Sequence, residues 1–286
     1  MIAARPSQLI ARRIARTAFT LAAAGVLSLL GACRGSDAPA ATARAQPSSN
    51  TRGGPPVPTE VVIGRPAARY QPDPAAAGAA IAGTVTTAAP LSAAPPAPTG
   101  RDSAVCGPAI PDGSVVQQGT GLGGAIVWLD DIRRGRPLPL ERRLELESDK
   151  CRLVPRVQGG VVGSAVNVLG HDDFRQHLHF LAAGDSGARA TVLLGRDEQV
   201  IPTERPFLAP GLVVVRDADH PWPTAYLAVF DHPYFAVTAP NGTFRIDAVP
   251  PGRYRMKVWH ERTKIAEQVV DVGAAGATVS VTVEAR

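Results

Sequence analysis

The chain has 286 residues, of which 45% are hydrophobic and 5% aromatic, and it carries 30 Lys and Arg against 25 Asp and Glu. This length accommodates one or two domains. Four of the arginines precede an apolar run within the first 30 residues, so the rest of the chain is nearly neutral. A nearly neutral chain with few aromatic residues and no basic block lacks the positively charged surface by which proteins bind nucleic acids.

The N-terminus has the pattern of an export signal. Arginines, including Arg12 and Arg13, precede the apolar run 17–30, which is too short to span a membrane comfortably. The run ends in Leu30-Gly31-Ala32-Cys33, which resembles a bacterial lipobox. The resemblance implies that residues 1–33 form a lipoprotein signal peptide with Cys33 lipidated, and that Arg34 favours the periplasmic face of the outer membrane. An ordinary secretory leader with an incidental cysteine is the alternative.

Residues 34–78 are rich in Ala, Pro, Ser and Gly, as in Gly53-Gly54-Pro55-Pro56. Such a composition cannot bury enough apolar surface to fold. It predicts a disordered tether that lifts the folded part of the chain off the membrane. A Pro-rich segment that binds a partner is the alternative, although no PxxP motif with basic flanks is present.

From about residue 79 the pattern is that of an all-β protein. Short apolar runs at 81–86, 124–128, 144–147, 190–194 and 211–215 are separated by Gly, Pro and Asp. No long stretch has helical periodicity, and the best candidate for a helix is one short segment near 133–143.

Two cysteines remain once Cys33 is assigned to lipid. Cys106 and Cys151 lie in a chain that carries an export signal, and an oxidising compartment favours a disulfide between them. Two free thiols or a metal thiolate are the alternatives, but neither cysteine belongs to a CxxC pair.

Two loop motifs resemble those of bacterial cupredoxin-like envelope proteins. They are Asp173-Phe-Arg-Gln-His177 and Asp217-Ala-Asp-His220-Pro-Trp-Pro223. The resemblance implies a cupredoxin-like Greek-key β-sandwich over 79–225, with His177 and His220 at the imidazole positions of a type 1 copper site. Asp217 stands where that family has the thiolate, and Pro223 where it has the thioether. A blue-copper centre requires the thiolate, so this chain is not predicted to contain one.

The retained residues allow two interpretations. His177, Asp217 and His220 could form a two-imidazole, one-carboxylate site for Cu or Zn. Alternatively the site is degenerate, no cofactor is bound and only the sandwich survives, which is the interpretation favoured here. In the cupredoxin-like family the first imidazole ligand precedes a strand residue, here Phe180, by a usual number of positions. Counting back by that number places Gln176, rather than His177, at the ligand position. His177 and His179 share one strand face and could bind metal together or line a polar surface.

The C-terminal segment predicts strands joined by tight turns. Asn241-Gly242 suits a type I′ hairpin and Pro251-Gly252 a type II turn. Phe244 and Ile246 alternate with polar residues, which gives that strand one buried face.

This pattern resembles carboxypeptidase regulatory-like domains, which are transthyretin-like β-sandwiches. The resemblance implies a smaller second sandwich over 226–286 with an accessory rather than catalytic role. His232 and His260 fall inside it, as extra metal ligands or, more in keeping with their spacing, as structural histidines.

No motif for a serine hydrolase, a P-loop, a zinc protease or haem attachment is present. The sequence therefore predicts a protein that is not an enzyme. We expect an extracytoplasmic, lipid-anchored binding or assembly subunit of a membrane-associated complex, for example an electron-transfer complex, with a protein partner and no nucleic acid. The alternatives are a mononuclear copper- or zinc-binding protein and a carbohydrate-binding module.

Overall fold

The computed structural model describes residues 70–183, 187–196 and 199–286. The signal peptide, Cys33 and the tether up to residue 69 lie outside these residues, and the predictions made for them stay predictions. Among the residues described, no helix is both long and apolar enough to cross a membrane.

The described residues form short strands, and the all-β class predicted from the sequence is confirmed. The strands of the first half are β1 (Gln71–Pro72), β2 (Ala79–Thr87), β3 (Ala97–Pro98), β4 (Ala109–Ile110), β5 (Val116–Gln118), β6 (Gly121–Gly123), β7 (Ile126–Leu129), β8 (Arg134–Gly135), β9 (Arg143–Asp149), β10 (Arg152–Val154) and β11 (Val157–Val161). Those of the second half are β12 (Ala165–Gly170), β13 (Gln176–Ala182), β14 (Ala188–Leu194), β15 (Gln199–Pro202), β16 (Gly211–Asp217), β17 (Thr224–Phe230), β18 (Phe235–Val237), β19 (Thr243–Val249), β20 (Gly252–Trp259), β21 (Ala266–Val272) and β22 (Ala277–Val283). A 3₁₀ helix (Gly100–Asp102) and a short α-helix, α1 (Ser103–Cys106), lie between β3 and β4.

Four sheets form two sandwiches. Sheet I has the order β10-β9-β12-β15, and sheet II the order β11-β17-β16-β13-β14. Leu146, Val168, Phe180 and Leu227 lie in the core between them, which we call sandwich one. Sheet III has the order β18-β7-β20-β21, and sheet IV the order β19-β2-β6-β5, with β22 beside β2. The core between sheets III and IV defines sandwich two.

The two sandwiches share a third core, because sheet II packs directly against sheet III. Leu212 and Val214 of β16 face this shared core, whereas Val213 and Val215 face the interior of sandwich one. Successive residues of a strand point to opposite faces, so a strand between two cores must be apolar throughout. Every residue of β17 is buried for this reason. The described residues therefore form four stacked β-layers.

Sandwich two is built from both ends of the chain, which the sequence-based domain boundaries do not anticipate. Strand β2, placed by those boundaries in the first domain, pairs in parallel with β22 and antiparallel with β19. Strand β7 pairs with β18 and β20. The boundary between 225 and 226 falls inside β17, a strand of sheet II. The pairing of β2 with β22 joins residues nearly 200 positions apart, and the others join residues more than 100 positions apart, which local patterns cannot reveal.

Three further expectations are corrected by the structure. Residues 70–78, predicted to belong to the tether, instead contact the folded part, because β1 pairs with β8 and Tyr70 packs against the core of sandwich two. The helix predicted near 133–143 is absent, because Pro137 and Pro139 remove backbone donors there. The predicted Asn-Gly hairpin is instead a connection between sheets, as is the segment with the predicted Pro-Gly turn, since β19 lies in sheet IV whereas β18 and β20 lie in sheet III.

Candidate functional site

The inner and outer faces of β13 separate the residues predicted to act together. Gln176, Leu178 and Phe180 are buried on the inner face of sheet II, whereas His177 and His179 lie half-buried on its outer face. Asp217 ends β16 opposite Leu178, so it also faces inward. The His177 ring therefore points away from Asp217. Only its backbone approaches that residue, with the His177 N–H donating to Asp217 Oδ1 at 3.1 Å.

The Asp217 carboxylate organises the loop that follows it. Its side chain has no exposed surface, and Oδ1 also accepts the backbone N–H of Asp219 at 3.0 Å. Oδ2 lies 2.7 Å from Nδ1 of His220. An ionised carboxylate is stable without water when its oxygens accept several hydrogen bonds, and these contacts supply them.

His220 lies between two carboxylates and two aromatic rings. Its Nε2 is 3.2 Å from Asp102 Oδ2, at ion-pair distance but without the alignment of a hydrogen bond. The Phe174 ring meets the imidazole edge-on at 5.0 Å between centroids, and the Trp222 ring lies at the same distance. We call Asp102, Asp217 and His220 the acid–His cluster.

The acid–His cluster does not fit a cupredoxin-type copper ion. Both ring nitrogens of His220 face carboxylates, and no thiolate is available beside them among the described residues, since Cys106 and Cys151 are joined to each other. Of the proposed set, Asp217 and His220 are brought together, whereas the His177 ring lies on the opposite face of sheet II. Within the described ranges, no group of three or more His, Cys, Asp or Glu side chains is arranged to hold a metal ion.

Asp102 was not identified from the sequence, and the disulfide explains how it reaches the site. Cys106 and Cys151 are joined, as predicted, with their Cα atoms 5.6 Å apart. The bond attaches α1, which directly follows Asp102, to the turn between β9 and β10. Cys151 packs with Ile110 and Phe174 in a small core that Trp222 also contacts. No local pattern signals this arrangement, because the loop between Cys106 and Cys151 spans 45 positions.

The outer-face histidines form a pair of their own. The Nε2 atoms of His177 and His179 lie 3.3 Å apart, with the rings nearly perpendicular and their centroids separated by 4.5 Å. Partial burial and the neighbouring His177 lower the pKa of His179. The two side chains are therefore held close together on an accessible strand face.

A cavity of about 750 Å³ opens beside Trp222, between the two sandwiches. Its charged lining residues are Arg152, Arg156, Arg262, Arg286, Asp112 and Glu261. The rings of Trp222 and Tyr226 also line it, and Trp222 Nε1 has no hydrogen-bond partner among the described residues. Four cations against two acids give this cavity a preference for anionic groups.

One ion pair crosses the cavity from one sandwich to the other. Nε and Nη2 of Arg156 donate to the two carboxylate oxygens of Glu261 at 2.6 and 2.8 Å. Arg156 precedes β11 in sandwich one, whereas Glu261 follows β20 in sandwich two. Burial opposes the charge of Arg156, but the Glu261 carboxylate outweighs it and raises the pKa of the guanidinium. Arg262 is held separately, by Asp112 at 3.5 Å and Ser114 at 3.2 Å.

His232 and His260 have structural contacts. Nδ1 of His232 accepts the backbone N–H of Tyr234, and Nδ1 of His260 accepts that of Arg262. Burial lowers the pKa of both rings to about 4, and for His260 the nearby Arg156 and Arg262 act in the same direction. Both are buried turn residues, as the structural interpretation of the sequence expected.

Comparisons with known proteins give a partial match. A family model described as polysaccharide lyase family 4, domain II, matches residues 219–281, which run from the loop of the acid–His cluster into β22. A search of curated proteins found no match. The matching model differs from the carboxypeptidase regulatory-like family expected from the sequence, and that expectation stays a prediction.

Weak structural similarity links part of the chain to cupredoxins. Copper-containing nitrite reductase from Thermus scotoductus SA-01 aligns at 21% identity and a TM-score of 0.25, covering 33% of this chain and 23% of that chain. Amicyanin from Paracoccus versutus aligns at 13% identity and a TM-score of 0.27, covering 32% of this chain and 84% of that chain. The chain thus spans less than a quarter of the nitrite reductase.

Proposed function

We propose that this chain is a non-catalytic binding or assembly subunit of a membrane-associated complex in the cell envelope, anchored by a lipid on Cys33. One observation carries this proposal: both ring nitrogens of His220 face the carboxylates of Asp102 and Asp217. The histidine of the loop that resembles a copper-ligand loop is therefore occupied by one carboxylate of that loop, Asp217, and by a second, Asp102, from the 3₁₀ helix. The acid–His cluster lacks the ligands that a type 1 copper ion requires for electron transfer. We therefore assign the chain a role in binding.

The cavity beside Trp222 supplies a binding surface for that role. Arg156 and Arg262 are engaged with Glu261 and Asp112, whereas Arg152 is exposed at the cavity's edge. An arginine near an aromatic ring suits a carboxylate, because its planar group forms two parallel hydrogen bonds. We assign the cavity to an acidic segment of a partner protein.

The test is isolation of the native complex from gently solubilised membranes. The wild-type chain should co-purify with its partner, and Arg152→Glu should reduce the recovered partner because it weakens the affinity by roughly tenfold, equivalent to about 1.4 kcal/mol of binding free energy. Arg253→Glu provides a matched charge reversal on β20, outside the cavity lining, and should leave recovery unchanged. A wild-type chain isolated as a free monomer would contradict the proposal.

An acidic carbohydrate is the second candidate ligand. The matching family model takes its description from polysaccharide lyases, and its residues 219–281 supply Trp222, Tyr226, Glu261 and Arg262 to the cavity. Sugar rings pack on indole faces, and carboxylated sugars would pair with the arginines. Calorimetry with oligogalacturonate and a neutral oligosaccharide of equal length separates the candidates. Binding of the acidic sugar alone, lost in Trp222→Ala, would favour the carbohydrate; binding of neither would exclude it.

A further inference from the structure

We propose that His177 and His179 form a surface chelate for a divalent transition-metal ion of the Cu(II), Ni(II) or Zn(II) class. The observation is the 3.3 Å separation of their two Nε2 atoms on the outer face of β13. This site is distinct from the acid–His cluster, which lies on the inner face of the same sheet. It does not depend on the function proposed for the cavity.

The separation of the two nitrogens matches that of ligands sharing one metal ion. Zinc binds imidazole nitrogen at about 2.0–2.1 Å, and two nitrogens 3.3 Å apart at that radius subtend an angle of about 107° at the metal. Tetrahedral coordination requires about 109°. The distance between the two nitrogens therefore suits one shared metal ion, which would replace the hydrogen bond between the rings.

The strand holds the two rings in place. Residues at positions i and i+2 of a strand project from the same face, and β13 is hydrogen-bonded on both sides, to β14 and to β16. The His177 N–H is also fixed by Asp217. A site with little freedom to lose binds metal more tightly than two mobile side chains.

The surroundings of the pair contain charges of both signs. Arg216 on β16 lies opposite His179 in register, and Thr191 and Leu193 are the cross-strand partners on β14. The exposed carboxylate of Asp219 is near enough to interact electrostatically with His179. Two protein nitrogens leave further coordination positions for water or for a ligand from another molecule. Imidazole ligands of this kind favour Cu(II) over Zn(II) and Ni(II).

The experiment is titration of the purified full-length chain in detergent with Cu(II), Ni(II) and Zn(II), followed by isothermal calorimetry and, for copper, by optical and electron paramagnetic resonance spectra. We expect one metal ion per chain without the intense visible band of a copper thiolate. His177→Gln and His179→Gln should each weaken binding by roughly tenfold or more, because each removes one of the two protein ligands. His171→Gln, a half-exposed histidine outside the pair, should leave the affinity unchanged.

Three results would overturn the proposal. They are the absence of stoichiometric binding, unchanged affinity in both His177→Gln and His179→Gln, and binding that is lost in His220→Gln but retained in His177→Gln. The last result would assign the metal to the acid–His cluster. Far-UV circular dichroism and thermal melting of each variant distinguish a lost ligand from a lost fold, and the two single variants provide independent readings if one of them unfolds.

Discussion

At the scale of single residues, the two buried histidines His232 and His260 serve as hydrogen-bond acceptors. His232 and His260 each accept a backbone N–H two residues further along the chain. Burial lowers their pKa to about 4, so at neutral pH they are uncharged hydrogen-bond acceptors within turns. Their protonation in the folded state would place a charge in a desolvated position and remove the acceptor.

These histidines predict a loss of stability in mild acid. The unfolded chain binds protons at a pKa of about 6.5, whereas the folded chain does so at about 4. The contribution of each histidine is therefore complete above pH 6.5 and is lost as the pH falls from 6.5 to 4, by about 2 kcal/mol each at pH 4.5.

Urea unfolding at pH 7.0 and 4.5 measures this loss. His232→Asn retains an acceptor for the Tyr234 N–H and does not titrate, so its stability should fall by about 2 kcal/mol less than that of the wild type. The carboxylates contribute equally to the loss of stability in both proteins, so subtracting one loss from the other removes their contribution. Equal acid sensitivity of the two proteins would show that His232 is protonated in the folded state.

At the scale of elements, the connection between the sandwiches depends on contacts made by strand ends. Arg156, ahead of β11, forms two hydrogen bonds to Glu261, just after β20, and also donates to the Thr224 carbonyl at 3.2 Å. Its guanidinium lies 5.9 Å from the centre of the Tyr226 ring. This single side chain therefore contacts both sandwiches beside their shared core.

Breaking this ion pair from one side should be costly. Glu261→Gln leaves the mostly buried guanidinium without its counter-charge, and we expect a loss of about 2–4 kcal/mol in the free energy of unfolding. Glu284→Gln breaks the exposed pair with Lys264 and should cost less than about 1 kcal/mol. Chemical denaturation of both variants makes the comparison. Equal small losses would mean that Arg156 is solvated in the native protein.

At the scale of the whole molecule, the two sandwiches share a core, and the strands of one are inserted between those of the other along the sequence. Sandwich two needs strands from both ends of the described chain, with sandwich one inserted between them. The shared core between sheets II and III contains Trp128, Phe230 and Trp259, each almost completely buried. Neither sandwich can separate from the other without exposing these rings to water. We therefore expect the two to unfold together.

Phe230→Ala tests that expectation. Phe230 stacks on Phe235 at 4.6 Å and lies 6.0 Å from Trp128, so its removal should cost about 3–5 kcal/mol. Calorimetry should show one cooperative transition in both proteins, shifted to lower temperature in the variant. Leu208→Ala, at a residue that is 78% exposed, should have a melting temperature close to that of the wild type. Two separate transitions in the wild type would show that the sandwiches unfold independently.

The sequence by itself determined the features that depend on near neighbours. The five apolar runs are strands, because period-two alternation and turn residues are local properties. Phe244 and Ile246 are buried as their alternation predicted. The Cys106–Cys151 disulfide followed from a count of cysteines in a chain predicted to be exported.

Only the tertiary structure decided which strands pair and what each face meets. The parallel pairing of β2 with β22 depends on packing summed over sandwich two, and no turn links the two strands. The inward position of Gln176 and the outward position of His177 depend on the register of β13, since a shift of one residue exchanges the two faces of a strand. Asp102 lies close to His220 because the Cys106–Cys151 disulfide attaches the helix that follows Asp102 to a turn distant in sequence. The sequence therefore predicted the elements, whereas the composition of the site was decided by long-range packing.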